Sequence, residues 1–250
     1  MTPVQQRFTN SGLEGLSYQE IVELLLSLVL PHRECRRQTK KFVEHFKNLR
    51  GLLTASPQEL QQAGIAPACV FYIKLLHELP IEILKQKIIE QPVHNSSREI
   101  FDYLYCSMRD LKKEVFEVIY LNNRNQIIDA AQLFKGSLDN IPIRPRDIME
   151  SAFKHDATRL IFAHNHPSGD PTPSKSDKRL TRDLVFIGMI LEIRVLDHII
   201  IGQDTYFSFA DERLIEKHED SFFNLRITGV FDIGGKYWKN LSEVHALDVY

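Results

Sequence analysis

The sequence predicts a mixed α and β fold in two parts, an all-helical N-terminal domain and a larger α/β or α+β domain. Three observations support this prediction. Residues 1–90 carry apolar side chains at helical spacing, residues 91–97 have the composition of a linker, and across residues 98–211 strand-like apolar runs alternate with helical stretches. Residues 212–250 follow as a C-terminal extension.

The N-terminal domain is expected to contain three principal helices. Residues 17–30 form an amphipathic pattern, and residues 36–46 form a second one. Residues 67–88 predict one long helix, or a helix that breaks near Pro80, because proline lacks the backbone N–H that a helix interior uses.

The second domain is expected to begin with a helix that ends near Met108 and is capped by Ser96 or Ser97. Residues 114–121 are β-branched and apolar, and the turn-forming sequence Asn-Asn-Arg-Asn follows them, so this run predicts a strand. Residues 158–163 are also apolar and favour β structure, and they predict a second, buried strand.

The C-terminal extension is expected to be a strand or a hairpin. Residues 225–231 alternate between apolar and polar side chains, and the dipeptide Gly234-Gly235 is typical of a turn. Such a segment can bind a partner or add an edge strand to the sheet, and the edge strand is the favoured interpretation.

The chemically most informative segment runs from His164 to Asp177, with two imidazoles, a hydroxyl and a carboxylate at the spacing H-x-H-x7-S-x2-D. Side chains two residues apart on a strand share a face, so His164 and His166 can point at one metal ion. Prolines stiffen the loop that follows, and Ser174 stands at the N-cap of a helix predicted over residues 175–191.

Asp177 falls in the first turn of that helix, where its carboxylate can supply a third ligand. Two histidines and one aspartate around Zn2+ leave a fourth position open, which is typical of a catalytic zinc site. Ser-x-x-Asp alone would be a helix capping box, and an isolated His-x-His arises by chance. The string His-Asn-His also suggests an HNH nuclease, but those enzymes distribute the three residues over a ββα module, so the combined pattern favours the metal site.

These residues resemble the RadC-like branch of the JAB/MPN metalloproteases, whose JAMM signature is a glutamate followed by H-x-H-x7-S-x2-D. The similarity is close over residues 164–177 and covers roughly residues 96–211. It includes residues 113–116, 133–138, 144–146 and 195–202. The resemblance implies a JAB/MPN-like mixed sheet flanked by helices.

By the same resemblance, the zinc ligands are His164, His166 and Asp177, the general acid/base is Glu114, and Ser174 stabilises the oxyanion. General chemistry agrees with these roles. Zinc lowers the pKa of water to about 7, and a nearby carboxylate can move the water proton to a leaving nitrogen.

Two further residues have open assignments. Glu117 lies in the same predicted strand as Glu114 but on the opposite face, so it is a second acid/base candidate. An exposed position on an edge strand is the alternative for either glutamate. His198 follows Asp197 near the expected site, where an imidazole can orient a metal ligand or satisfy a buried backbone group. We favour the structural role for His198.

The N-terminal domain resembles the corresponding region of RadC-like proteins, which carries a helix-hairpin-helix turn of the form Gly-Ile-Gly-x-Ala. Residues 64–68 are Gly-Ile-Ala-Pro-Ala, so Ala66 replaces the second glycine. Such turns bring backbone N–H groups close to DNA phosphates, and the resemblance therefore implies DNA contact that Ala66 weakens. A basic run over residues 33–50 can contact phosphates, but interspersed glutamates also suit an ordinary solvated helix.

The composition indicates which partners and which cellular compartment suit the protein. The 250 residues are 43% hydrophobic, with a net charge of −2 and a pI near 6.6, which argues against a globally basic nucleic-acid binder. Three scattered cysteines without a C-x-x-C motif fit a reducing cytoplasm. No signal peptide is evident, and the longest apolar stretch, residues 21–30, is too short to span a membrane. The oligomeric state is not determined by the sequence.

Two functions follow from these patterns. The first is a JAMM-type zinc metallopeptidase that hydrolyses a peptide or isopeptide bond of a protein substrate with a metal-activated water. The second is a DNA-associated accessory protein of repair or recombination, with a metal site that is not catalytic. The complete set of ligands with Glu114 favours the first, and the altered hairpin turn weakens the second.

Overall fold

The computed structural model describes residues 2–89, 93–135 and 143–229. The chain divides into two compact units, Met1–Ile83 and Leu84–Tyr250. The first unit is helical, and the second contains a five-stranded sheet flanked by helices, so the predicted mixed fold is confirmed. Among the residues described, no helix is both long enough and apolar enough to cross a membrane.

Six helices occupy residues 2–89: α1 Pro3–Ser11, α2 Tyr18–Leu26, α3 His32–His45, α4 Leu49–Leu53, α5 Pro57–Gln62 and α6 Pro67–Ile88. Ser17 and Ser56 begin α2 and α5 with capping boxes. Each serine hydroxyl accepts from the backbone N–H of a glutamate three residues later, and the side chain of that glutamate accepts from the serine backbone N–H. The apolar faces pack together in a core that includes Val22, Leu26, Phe42, Leu52, Leu60 and Ile73.

The predicted N-terminal helices are present, but their ends differ from the prediction. The helix expected over residues 17–30 ends at Leu26. The helix expected over residues 36–46 begins earlier, immediately after Pro31, whose extended backbone marks the start. Pro80 does not break α6, which is continuous with this proline on its exposed side.

The turn that joins α5 to α6 spans residues 63–66 and contains Gly64 of the sequence that resembles a hairpin turn. Gly64 has a φ of +70°, a left-handed conformation that glycine adopts without steric penalty. The Nζ of Lys41 donates a hydrogen bond to the Gly64 carbonyl oxygen at 3.3 Å. One lysine of the basic run is therefore engaged by the turn itself, and DNA contact stays a prediction.

The first helix of the second unit starts earlier than predicted. Helix α7 spans Val93–Met108, so Ser96 and Ser97 lie inside it and neither is its cap. The linker predicted over residues 91–97 therefore overlaps the helix, and residues 90–92 lie outside the described part of the chain. Burial of one face offsets the weak helix propensity of this polar start, and the buried residues include Ile100, Tyr103 and Leu104.

The sheet of the second unit has the strand order β2-β1-β3-β4-β5. Its strands are β1 Val115–Leu121, β2 Ile127–Lys135, β3 Arg159–Asn165, β4 Arg194–Ile201 and β5 Tyr206–Ser208. Strands β3 and β4 are parallel, and the other neighbouring pairs are antiparallel. Parallel neighbours require a crossover connection, so a helix lies between β3 and β4 in the sequence.

Three helices pack against one face of this sheet: α8 Pro145–Lys154, α9 Lys175–Leu191 and α10 Leu214–Ile227. Helix α9 is the crossover from β3 to β4, and it has the predicted bounds, with Ser174 as its N-cap. The core between sheet and helices includes Phe116, Tyr120, Leu160, Phe162, Leu184 and Phe209.

The strand or hairpin predicted in the C-terminal extension is wrong for its described part. Residues 225–227 end α10, which packs against α9 instead of extending the sheet. Phe222 is buried, and its ring lies 5.5 Å from that of Phe186, so a tertiary contact fixes the helix. The predicted Gly234-Gly235 turn lies outside the described residues.

Glu117 is not the exposed edge-strand residue that the sequence allowed. Its strand, β1, lies between β2 and β3, and the side chain is 0% exposed on the face opposite Phe116. The hydroxyl of Tyr103 donates to Oε1, whereas Oε2 has no hydrogen-bond partner among the described residues. Burial raises the pKa of the Glu117 carboxyl, so it is a poorly solvated acid inside the domain.

Replacement of this carboxyl is expected to change how stability depends on pH. In the wild type, the protonated Glu117 carboxyl contributes to the free energy of unfolding. This contribution is fully present below the ordinary pKa of glutamate, and it is lost as the pH rises through the raised pKa of Glu117. Glu117→Gln cannot ionise and keeps an acceptor for Tyr103. We therefore expect the free energy of unfolding, measured in urea, to shift in favour of the variant as the pH rises. A difference that is constant with pH would contradict this expectation.

Candidate metal centre

The C-terminal end of β3 delivers the two histidines of the motif. His164 is fully buried and pairs with Phe116 of β1 and Ile200 of β4. The ring of Phe116 stacks on its imidazole with a centroid distance of 6.3 Å. His166 directly follows the strand and is partly exposed. One ligand candidate is thus held inside the sheet, and the other lies at its border.

Asn165, between the two histidines, anchors the segment that carries Glu114. Its side-chain nitrogen donates to the carbonyl oxygens of Leu111 and Lys113 at 3.3 and 3.2 Å. Its side-chain oxygen accepts from the backbone N–H of Val115 at 2.8 Å. The sequence does not indicate this role, because an asparagine between two histidines carries no signal of partners about 50 residues away in the sequence.

The loop after His166 is fixed by the turn between β4 and β5. The backbone N–H of His166 donates to the carbonyl of Ile201, and that of Gln203 donates to the carbonyl of Gly169, both at 3.0 Å. A Cβ atom at Gly202 would lie 2.5 Å from the Gly169 oxygen, so only glycine allows this approach. The loop is therefore held against the sheet.

Asp177 is oriented by the start of α9. Its Oδ2 accepts from the backbone N–H of Ser174 at 2.7 Å, and its own N–H donates to the Ser174 hydroxyl at 3.1 Å. Burial opposes ionisation, but the hydrogen bonds from His166 and Ser174 hold the pKa of Asp177 well below its usual range. The carboxylate of the capping box is therefore also the ligand candidate, so the two predictions for this motif are compatible.

His164, His166 and Asp177 converge, and we call them the His-His-Asp group. The two Nε2 atoms lie 3.0 Å apart, and they lie 3.5 and 3.4 Å from the two carboxylate oxygens of Asp177. One ligand atom from each residue falls within a 4.8 Å span. This donor set fits zinc, with a fourth position left for another ligand.

The orientation of the His164 and His166 rings also supports the prediction of a metal site. His166 Nδ1 lies 2.7 Å from the carbonyl oxygen of Asp170, and His164 Nδ1 lies 2.8 Å from Nε2 of His198. Each Nδ1 therefore has a partner outside the group, and each Nε2 is directed into it. The Nε2 atoms of His164 and His166 lie 3.0 Å apart, and their lone pairs repel one another unless a cation, either a proton or a metal ion, lies between them.

Glu114 and Ser174 lie beside the His-His-Asp group. Glu114 is partly buried immediately before β1, and its charge contributes to the raised pKa of His166. Ser174 is exposed, and its hydroxyl is 2.8 Å from that of Ser176. The structure thus brings both predicted residues to the group, whereas Glu117 points away from it.

His198 contacts a ligand candidate, contrary to the favoured structural role. It is fully buried in β4, with Nε2 at 2.8 Å from His164 Nδ1 and Nδ1 at 2.7 Å from the hydroxyl oxygen of Thr181. Asp197 fixes the backbone here, since it accepts hydrogen bonds from the N–H groups of His198 and Ala210. The sequence does not indicate the role of Thr181, because a threonine within a helix gives no functional signal by itself.

The pKa values of the two ligand candidates His164 and His166 shift in opposite directions. Burial lowers the pKa of His164 to about 4, so its imidazole is neutral near physiological pH. The hydrogen bond to Asp177 raises the pKa of His166, and Glu114 adds to this effect. A metal ion that binds the group below the raised pKa of His166 therefore displaces a proton from His166.

Zinc affinity is expected to fall as the pH falls through the raised pKa of His166, because the protonated imidazole cannot bind metal. One displaced proton corresponds to a decrease of about tenfold in the association constant per pH unit. Competition with a chromophoric chelator across a pH series measures this slope. An affinity that does not change below neutral pH would show that His166 is not a ligand.

One protein-family model and several known proteins are similar to this chain. A family model described as the RadC-like JAB domain matches residues 94–214. A UPF0758 protein of Pseudoalteromonas translucida (strain TAC 125) is 34% identical over 212 residues, which are 84% of this chain and 95% of that protein. A UPF0758 protein of Rhodobacter capsulatus is 30% identical over 213 residues, 85% of this chain and 100% of that protein. A third, from Pasteurella multocida (strain Pm70), is 30% identical over 212 residues, 84% of this chain and 95% of its own length.

Proposed function

The chain belongs to the RadC-like JAB-domain family, and from this membership we propose that it is a zinc-dependent metallopeptidase that hydrolyses a peptide or isopeptide bond. The observation that carries the proposal is the convergence of two imidazole nitrogens and one carboxylate beside Glu114. An open fourth position suits catalysis, because a structural zinc site uses four protein ligands.

The proposed chemistry divides between the metal and the chain. When held by His164, His166 and Asp177, zinc would supply Lewis acidity toward a carbonyl oxygen and would make water acidic enough to lose a proton near neutral pH. The carboxylate of Glu114 accepts that proton and returns it to the leaving nitrogen, so one residue acts as base and then as acid. The anchor at Asn165 holds the Glu114 segment in place for both transfers.

Ser174 is proposed to stabilise the negative charge that develops on the carbonyl oxygen. Its hydroxyl oxygen already accepts from the N–H of Asp177, so its own proton is the part available for donation. The hydroxyl oxygens of Ser174 and Ser176 lie 2.8 Å apart, and a substrate oxygen would compete with Ser176 for the Ser174 proton. A donor that is already in place costs little reorganisation during the reaction.

The proposed setting is a reducing cytoplasm. Cys35, Cys69 and Cys106 are all free thiols, and two of them are buried, which suits a compartment where disulfides do not form. The substrate is proposed to be a peptide or a protein.

The test of this function is cleavage by the zinc-loaded protein. Quenched fluorescent peptide libraries and isopeptide-linked model substrates are incubated with wild type and with Glu114→Gln, each with its zinc content measured. Cleavage by the wild type alone, at equal zinc content, supports the proposal. Equal cleavage by both proteins would exclude Glu114 as acid/base, and no cleavage of either substrate class by zinc-loaded wild type would count against a peptidase.

A further inference from the structure

A buried chain of hydrogen bonds runs from α9 through β4 to the metal centre. Thr181 and His198 are each 0% exposed. The hydroxyl oxygen of Thr181 lies 2.6 Å from the backbone carbonyl of Asp177 and 2.7 Å from Nδ1 of His198. Nε2 of His198 then lies 2.8 Å from Nδ1 of His164. No part of the proposed reaction uses Thr181 or His198 directly.

Within this series of hydrogen bonds, the position of the Thr181 hydroxyl proton follows from the chemistry of its neighbours. A carbonyl oxygen can only accept a hydrogen bond, and two oxygens at 2.6 Å repel one another unless a proton lies between them. The single hydroxyl proton of Thr181 therefore points to the Asp177 carbonyl. The Thr181 oxygen has only lone pairs left for His198, so Nδ1 of His198 must be the protonated nitrogen.

The remaining protons follow in order. His164 and His198 are each 0% exposed, and burial disfavours a charged imidazole, so each ring is neutral and carries one proton. With its proton on Nδ1, His198 presents a lone pair at Nε2, and this lone pair accepts from Nδ1 of His164. The lone pair of His164 is then on Nε2, the atom that lies 3.5 Å from the Asp177 carboxylate.

We propose that Thr181 and His198 are positioning residues, which hold His164 in the tautomer whose Nε2 lone pair binds the metal ion. The inference rests on the proposed function only in that the His-His-Asp group binds a metal. A partner on the outer nitrogen of a metal-binding histidine fixes the ring orientation and tautomer, and loss of such a partner typically costs about 10–100-fold in metal affinity.

Thr181→Val tests the inference, because valine has nearly the same shape but no oxygen to accept from His198. His198 is then free to carry its proton on Nε2, where it would donate to His164 Nδ1 and place the His164 proton on Nε2. We expect zinc affinity to fall by about 10–100-fold. Thr181→Ser keeps the hydroxyl and is the matched control, with an affinity close to that of the wild type.

Two measurements separate positioning from a general loss of structure. Zinc affinity is measured by competition with a chromophoric chelator for wild type and both variants. Ring-nitrogen NMR of the zinc-free proteins reports the tautomer of His164, and we expect protonation on Nδ1 in wild type and Thr181→Ser but a shift toward Nε2 in Thr181→Val. Urea unfolding monitors whether each variant is folded. His198→Gln, which keeps an acceptor for His164, is expected to bind zinc more tightly than His198→Leu.

The outcomes distinguish this inference from the proposed function. Wild-type affinity and an unchanged His164 tautomer in folded Thr181→Val would overturn the positioning role. If zinc binds as expected but no peptide or isopeptide is cleaved, the proposed function fails while the positioning role stands. If the wild type binds no zinc, the proposed function fails, and Nε2 protonation of His164 in the wild-type spectrum would overturn this inference as well.

Discussion

Glu114→Gln is expected to slow peptide or isopeptide cleavage by about 100-fold to 10,000-fold while zinc stays bound, because general acid/base catalysis typically contributes that factor. Glutamine has the shape of glutamate but does not accept a proton from water near neutral pH. Glu114 does not belong to the His-His-Asp group, so its replacement leaves all three ligand candidates in place. The rate constants are compared at saturating zinc, with metal content measured on the same samples.

The matched control for this experiment lies in the adjoining strand. Glu117→Gln makes the same chemical change three positions further along, but this side chain is buried on the opposite face of β1 and bonded to Tyr103. We expect Glu117→Gln to cleave at close to the wild-type rate. A similar loss of rate in both variants would point to a general electrostatic or stability effect and would contradict the role given to Glu114.

Removal of both ligand histidines is expected to abolish zinc binding. The double variant His164→Ala, His166→Ala keeps only Asp177 of the group, and one carboxylate does not hold zinc in competition with water. We expect about one zinc ion per chain in wild type purified without added metal, and a loss of affinity greater than about 100-fold in the double variant. Mass spectrometry of metal content and a zinc titration measure both values.

The control for this second experiment removes two imidazoles elsewhere. His45 and His77 lie in the helical unit, on α3 and α6, and neither belongs to the His-His-Asp group. The variant His45→Ala, His77→Ala is expected to bind zinc like the wild type. Absence of zinc from the wild type, both as purified and after titration, would exclude the metallopeptidase proposal.

Features that depend on neighbours in the sequence were predicted well. The bounds of α9 and its cap at Ser174 follow from a capping box and helical spacing, which are local signals. The strand before the motif was predicted for the same reason, since a short apolar run between polar segments favours a buried strand. The spacing of His164, His166 and Asp177 then brings the three together across one loop.

Predictions failed where a distant contact decided the structure. The alternation over residues 225–231 favours a strand or a hairpin, but the packing of Phe222 on Phe186 fixes a helix over residues 225–227. The burial of Glu117 depends on the position of β1 inside the sheet, which no local pattern specifies. Tertiary burial can override weak local preferences, because the free energy of burying a large aromatic side chain exceeds typical differences in propensity.

The sequence by itself determined the division into a helical part and a mixed α and β part, the strand and helix that flank the motif, the metal-ligand candidates and, through resemblance, the family. Only the tertiary structure revealed how the centre is held. His198 reaches His164 from 34 residues away, and Asn165 reaches Val115 from 50 residues away. Hydrogen bonds of this kind depend on strand register and on the crossing of α9 over the sheet. They become visible only when the fold has placed each donor beside its acceptor.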